Sequence, residues 1–243
     1  MNNKKAFSVV AALKFGFVEF IEHLFFFIKL GLIQFGVYAA FALGCLAISG
    51  LIGLLKTEWF WHIREIPNVY QHSQKVINVV LGSPFIGFAV TVFFMGFTIL
   101  RIFLNLGLRR IALDIYDADS SKISQLFSQV SKVATAWLTA LVYAGICFLG
   151  MLFFVLPGIF FGVMFSLYEY VIVDQDRGVF EALKESYRLM SKDKVSVFSA
   201  IIALFLIYFL GGPISLLLLG QVWNLMYAFM YRRLQAADAN NME

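Results

Sequence analysis

The chain has 243 residues, 61% hydrophobic and only 14% charged, with a mean hydropathy of +0.83 and a formal net charge of +4. Water-soluble domains run at about 45–50% apolar and about 25% charged, so a soluble globule is excluded: too few polar groups remain to cover the core. Lipid is the expected solvent, and the length allows several spans of about 20 residues with no separate soluble domain of useful size.

Lys4 and Lys5 precede an apolar stretch, but Lys14 interrupts it and no small-x-small site follows, so no cleaved signal is expected. Within residues 6–28, Phe7, Val10, Leu13, Phe17, Phe20, Ile21, Leu24, Phe25 and Ile28 share one helical side. Ser8, Lys14, Glu19, Glu22 and His23 share the other. That division predicts an N-terminal amphipathic helix over 1–29 lying in the interface plane. Residues 30–55 form the first expected span, in which Gly36, Ala40 and Gly44 make a small-residue face suited to close helix approach. Trp59, Phe60 and Trp61 fit an interfacial belt, and 62–78, with Pro67, read as a loop or surface helix.

A second span is expected over 79–106, ending at Arg109 and Arg110. A polar stretch, 107–132, follows, with helically spaced Ile123, Leu126, Phe127 and Val130. Spans over 133–156 and 158–173 are separated by Pro157-Gly158. The second has only 16 residues, about 24 Å, short of a hydrocarbon core of about 30 Å. Phe180, Leu183, Tyr187 and Met190 predict another amphipathic stripe, and spans over 195–211 and 213–231 are separated by Gly212-Pro213. Residues 30–233 thus form an all-α, polytopic transmembrane bundle of about six spans, and 234–243 a polar tail.

Six spans with the N-terminus inside place fourteen Lys and Arg on inside segments and three (Lys56, Arg64, Lys75) outside, with Lys29 and Arg101 near or within spans. The positive-inside rule then predicts both termini in the cytoplasm of a bacterial inner membrane. An internal two-span repeat is also suggested. Asp117-Ala-Asp119 and Asp174-Gln-Asp176 are offset by 57 residues, as are Leu126 and Leu183, and Pro157 and Pro213 by 56. Two-span copies would keep one orientation, related by an axis along the membrane normal.

Leu156-Pro157-Gly158-Ile159, Leu167-Tyr168-Glu169-Tyr170-Val171-Ile172-Val173-Asp174 and Glu181-Ala182-Leu183-Lys184-Glu185-Ser186-Tyr187-Arg188-Leu189-Met190 resemble a loose group of uncharacterised bacterial multi-pass proteins. That group includes the membrane domain of some glycerophosphoryl diester phosphodiesterases. The resemblance covers about residues 107–195 and implies a six-span inner-membrane protein with interfacial helices. It implies no chemistry, because the sequence holds no phosphodiesterase domain.

Reactive constellations are thin. The Asp-x-Asp pairs invite a metal, but capping and the dipole of the helices that follow account for them more simply. His23, His62 and His72 have no ligand spacing, and Ser49, Ser166, Ser199 and Ser215 lack a nucleophile-elbow setting. Cys45 and Cys147 fall within apolar runs and read as small hydrophobes. No cofactor and no enzymatic activity are expected. Arg101 and Glu169 fall at similar depth in the six-span topology and form a candidate intramembrane ion pair, with Asn105 and Asn224 as extensions of a polar seam. Arg109, Arg110, Lys184, Arg188, Arg232 and Arg233 are candidate contacts for anionic lipid. Interspersed acids argue against nucleic acid. The expected partners are membrane lipids, a membrane protein or a second copy. The expected role is organisation of lipid or partners at the inner leaflet, with a small transporter or channel lined by Arg101 and Glu169 as the alternative.

Overall fold

The computed structural model describes residues 7–55, 84–118, 122–210 and 212–239, and all of its regular elements are helical. The long helices are α1 (Val9–Glu22), α2 (Leu24–Leu55), α3 (Pro84–Ala118), α4 (Val133–Phe153), α5 (Val155–Met164), α6 (Tyr168–Gln175), α7 (Val179–Met190), α8 (Lys194–Leu210) and α9 (Gly212–Ala239). Short 3-10 turns occupy Ile123–Phe127, Val130–Lys132 and Ser191–Asp193. Four segments have the length and composition to cross a membrane: Leu24–Ile48, Val90–Ala118, Ile123–Phe153 and Val155–Gln175. Such apolar helices suit a membrane-embedded protein. So does their outward surface, where Phe25, Leu156 and Phe154 are 80%, 78% and 75% exposed, a pattern that water would penalise and acyl chains do not. The aromatic belt expected at 59–61, the loop expected over 62–78, His62, His72 and the three basic residues expected outside, Lys56, Arg64 and Lys75, lie outside the described residues.

Several boundaries differ from those expected. The N-terminal helix ends at Glu22, not 29. His23 departs from helical geometry (φ −99°, ψ 22°) while its neighbours keep their hydrogen bonds, so the chain kinks and α2 begins at Leu24. Only part of the large apolar side is buried at α1, Phe7 and Phe20 among it. Ala12, Gly16 and Phe20 are buried, while Val10 and Ile21 are 72% and 66% exposed. A side chain at Gly16 would meet the Val222 carbonyl oxygen of α9 at 3.1 Å. Small residues let the backbones approach, and Val10 and Ile21 are left on the outer surface.

Arg109 and Arg110 do not end α3, which continues to Ala118 with Ile111, Ala112, Leu113 and Ile115 buried. The 123–132 stretch is two 3-10 turns rather than an amphipathic helix. Only Leu126 of its expected stripe is buried, and a side chain at Gly107 would overlap the Leu126 carbonyl. α4 ends at Phe153. Phe154 alone is extended (φ −160°, ψ 149°), and Pro157 sits in the first turn of α5, where its missing N–H costs nothing. Gly150 and Gly158 make this hairpin: a Cβ on Gly150 would stand 2.9 Å from the Gly158 Cα. With α6, the return leg spans 21 residues, about 31 Å, which removes the expected shortfall. α7 buries Ala182, Leu183, Ser186, Leu189 and Met190, leaving Phe180 75% and Tyr187 38% exposed, so its buried stripe is rotated from the expected one. The expected tail is helical to Ala239, with Leu234 and Asp238 buried.

The chain divides into two compact units, Met1–Gly31 with Ile102–Glu243, and Leu32–Arg101. In the second, Tyr38 and Phe41 of α2 pack on Phe93 and Phe97 of α3, with the Phe41 ring 3.0 Å from where a Gly96 Cβ would lie. Gly36 and Gly44, expected at a close contact, have open space beside them among the described residues. The first unit holds the charged clusters described next.

Candidate functional site

α3, α6 and α9 bring their charged residues together inside the first unit. Arg109 of α3 donates to Glu169 of α6 through Nε at 2.8 Å, and a terminal guanidinium nitrogen stands 2.8 Å from the same carboxylate oxygen. The other terminal nitrogen donates to the side-chain oxygen of Asn224 of α9. The Tyr168 hydroxyl donates to the second oxygen of Glu169 at 3.1 Å, and the Tyr170 hydroxyl donates to the Asn224 carbonyl at 2.7 Å. The guanidinium also lies 5.1 Å from the Tyr170 ring centroid, close enough for a cation–π attraction. Side-chain exposures of 17% for Arg109 and 11% for Glu169 leave the pair little contact with solvent. Neutrality as a pair and these extra donors and acceptors make its burial tolerable.

A second cluster lies about 12 Å further along the helices, eight residues on from both Arg109 and Asn224. Arg232 of α9 grips Asp174 of α6 with two bonds of 2.7 and 2.9 Å and donates through Nε to Asp117 of α3 at 2.9 Å, with a further bond from a terminal nitrogen. Tyr231 donates to Asp174 at 2.9 Å. Lys132 closes the end of α6, donating to the carbonyls of Ile172 and Val173 at 3.2 and 2.9 Å and reaching Asp176 at 3.4 Å. Asp176 itself is left-handed (φ 54°), a conformation Asp tolerates better than most side chains. A third cluster joins α7 to α9: Asp238, buried at 4% exposure, meets Arg188 at 2.7 Å and Lys192 at 2.6 Å. The Lys192 ammonium is the main cause holding the Asp238 carboxyl below its usual range.

These contacts revise the sequence-derived assignments. The partner of Glu169 is Arg109, not Arg101, which is exposed eight residues earlier on α3. The pairing moves because α3 stays helical past residue 106 and carries Arg109 into the core. Asn224 joins the seam, as expected. The Asp174-Gln175-Asp176 pair does not cap the helix that follows, since α7 has Gly178 at its N-cap with no side-chain bond, and Asp117 and Asp174 instead converge on Arg232; Asp119 lies outside the described residues. Among the described residues no group of three His, Cys, Asp or Glu side chains has the arrangement of a metal site. Of the six candidate lipid contacts, Arg109 and Arg232 are committed to internal acids, Arg110 to Asp114 at 2.9 Å, and Arg188 to Glu185 and Asp238. Lys184 and Arg233 are exposed, Arg233 lying over the Phe229 ring at 5.2 Å. Comparison with family models, with curated proteins and with solved structures finds no match to this chain.

Proposed function

We propose that the chain is a six-span protein of a bacterial inner membrane, with both termini cytoplasmic, that organises lipid or partner proteins at the inner leaflet without catalysing a reaction. The two spans beyond the four that meet the length and composition test are α8, of 17 residues, and the following α9. The orientation follows the fourteen-to-three basic asymmetry. The observation that carries the functional reading is the use made of charge. Glu169 on Arg109, Asp117 and Asp174 on Arg232, and Asp238 on Arg188 and Lys192 each tie helices together. α7 meanwhile presents Phe180 beside Lys184 outward, a pairing suited to headgroup level. Anionic-lipid contact therefore falls to Lys184 and Arg233, and the group of bacterial multi-pass proteins that the sequence resembles is the proposed kin.

The test is extraction in native lipid particles followed by identification of what stays bound. A specific anionic lipid or a stoichiometric membrane protein, reduced by Lys184→Gln with Arg233→Gln, is expected. Bulk lipid alone, unchanged in the variant, would sink the reading. The alternative, a small-molecule or ion transporter, is favoured by one feature, the buried Arg109–Glu169–Asn224 seam. It predicts an ion or solute flux into vesicles that Glu169→Gln abolishes.

A further inference from the structure

We infer that the chain is built from three copies of one unit that close cyclically, and that the two polar clusters mark the axis on which the copies meet. Each unit is a short helical segment followed by two long helices: α1–α2–α3, then the 123–132 turns with α4 and α5–α6, then α7–α8–α9. The inference goes beyond the reading above and does not depend on it.

Four features fit this arrangement. The helix bounds of the second and third units recur at one spacing: Phe153 and Leu210 end α4 and α8, and Val155 and Gly212 begin α5 and α9, each pair 57 residues apart. Burial is compatible with the same spacing: Ile111, Ala112, Leu113 and Ile115 of α3 correspond to Tyr168, Glu169, Tyr170 and Ile172 of α6, and to Leu225, Met226, Tyr227 and Phe229 of α9, the last two sets lying within continuously buried runs, 167–173 and 224–231. All twelve are buried. Each short segment touches the second long helix of the preceding unit at one equivalent point of that helix, through segment residues that are not themselves at the 57-residue spacing. Leu126 sits against Gly107, and the Ser186 hydroxyl donates to the Met164 carbonyl at 3.1 Å. Gly16 of the first unit closes the cycle against Val222 of the last. Positions 107, 164 and 222 are 57 and 58 residues apart.

The fourth feature is chemical and concerns which units contribute, since Glu169 and Asn224 stand 60 and 115 residues from Arg109 and are not in register with it. Both polar clusters take one residue from each unit: Arg109, Glu169 and Asn224 in one, Asp117, Asp174 and Arg232 in the other. Asp117 and Asp174 occupy equivalent positions, and the third unit has Tyr231 there, followed by Arg232. Three converging carboxylates would repel, so the third copy departs from the other two where a positive charge is required. Parallel repeats related by an axis along the membrane normal place their shared site where the copies meet, so that axis is where any ligand of this protein is to be sought.

One feature of the cycle is directly testable. In the second and third units the short segment follows, in the chain, the helix on which it packs. Only α1 reaches α9 from the opposite end of the sequence. Moving Phe7–Glu22 from the N-terminus to follow Ala239, through a flexible linker of about eight residues, recreates the local connectivity of the other two junctions. The 23–243 truncation is expected to lower the thermal midpoint in detergent by about 10 °C or more, and the graft to recover at least about half of that loss. A graft carrying Gly16→Leu, which cannot seat on Val222, should not recover it. A graft no better than the truncation, or a Gly16→Leu graft that recovers equally, overturns the cyclic arrangement, as does a truncation without effect.

Discussion

Glu169→Gln keeps the shape of the α6 core and removes one charge, which makes it the sharpest probe of the central cluster. In the native chain Arg109 has its guanidinium shared between Glu169, Asn224 and the face of Tyr170, at 17% side-chain exposure. The variant leaves that cation buried without a counter-charge, while glutamine retains a carbonyl oxygen for one of its N–H groups. Breaking a buried pair from one side costs about 3–5 kcal/mol. The retained hydrogen bond places this case near the lower end, about 3 kcal/mol. For a chain of this size that is a fall of about 6–12 °C in the thermal midpoint, measured by unfolding in detergent. Removing both charges, Glu169→Gln with Arg109→Met, should recover much of the loss, because no charge is then left buried alone. The coupling in the double-mutant cycle should exceed about 1.5 kcal/mol. Arg101→Gln combined with Glu169→Gln should by contrast be additive. Additivity for Arg109 and coupling for Arg101 would refute the assignment of the pair.

Arg232→Gln should destabilise by about 3 kcal/mol, since Asp117 and Asp174 lose the cation between them. Arg232→Lys should restore only part of this in the same assay, because an ammonium cannot make the two-bond grip on Asp174. The Asp238 carboxyl is held below its unfolded value, so its stabilisation is fully present above the ordinary carboxylate range and is lost as pH falls through the depressed folded value. Asp238→Asn should remove that acid-side dependence from a stability–pH curve taken between about pH 6 and pH 3. Gly107→Ala forces a methyl into the Leu126 carbonyl and should cost about 1–3 kcal/mol. Gly145→Ala, with open space beside it, should be neutral or stabilise by up to about 1 kcal/mol through helix propensity alone. Equal effects from the two alanines would contradict the contact.

Hydropathy and the Gly/Pro breaks were enough to read the helical membrane class and the hairpin near residue 155 from the sequence, because both depend on local composition. The faces were harder. The apolar side of α1 is easy to see at 100° per residue, yet its packing face is Ala12–Gly16, because in lipid large apolar side chains gain nothing by turning inward. In α7 the buried stripe keeps Leu183 and Met190 of the expected one and takes in Ala182, Ser186 and Leu189, so it is rotated rather than inverted. In the sequence, Arg109 and Arg110 read together as the end of a span. The signal against that lay in Ile111, Ala112, Leu113 and Ile115, a continued apolar run that only a buried helix would carry. The acidic pairs are visible in the sequence as a 57-residue repeat, but the convergence of Asp117 and Asp174 on Arg232 depends on how three helices meet, which no local pattern encodes.

The fate of the basic residues shows why the charge count alone misleads about the surface. Arg109 and Arg232 are counted among fourteen inside cations, and as such they suggest a strongly positive face for anionic headgroups. Yet each is turned inward to an acid supplied by another helix, and Arg188 and Lys192 share Asp238. Topology is set while the chain inserts, when these residues are still unpaired and attract the inner side in full. The folded surface is set afterwards, once their charges are spent within the protein. In the proposed orientation the same arginines would direct the spans and yet contribute little to lipid attraction in the finished molecule, which would leave exposed cations such as Lys184 and Arg233 to carry that attraction at about 1 kcal/mol each.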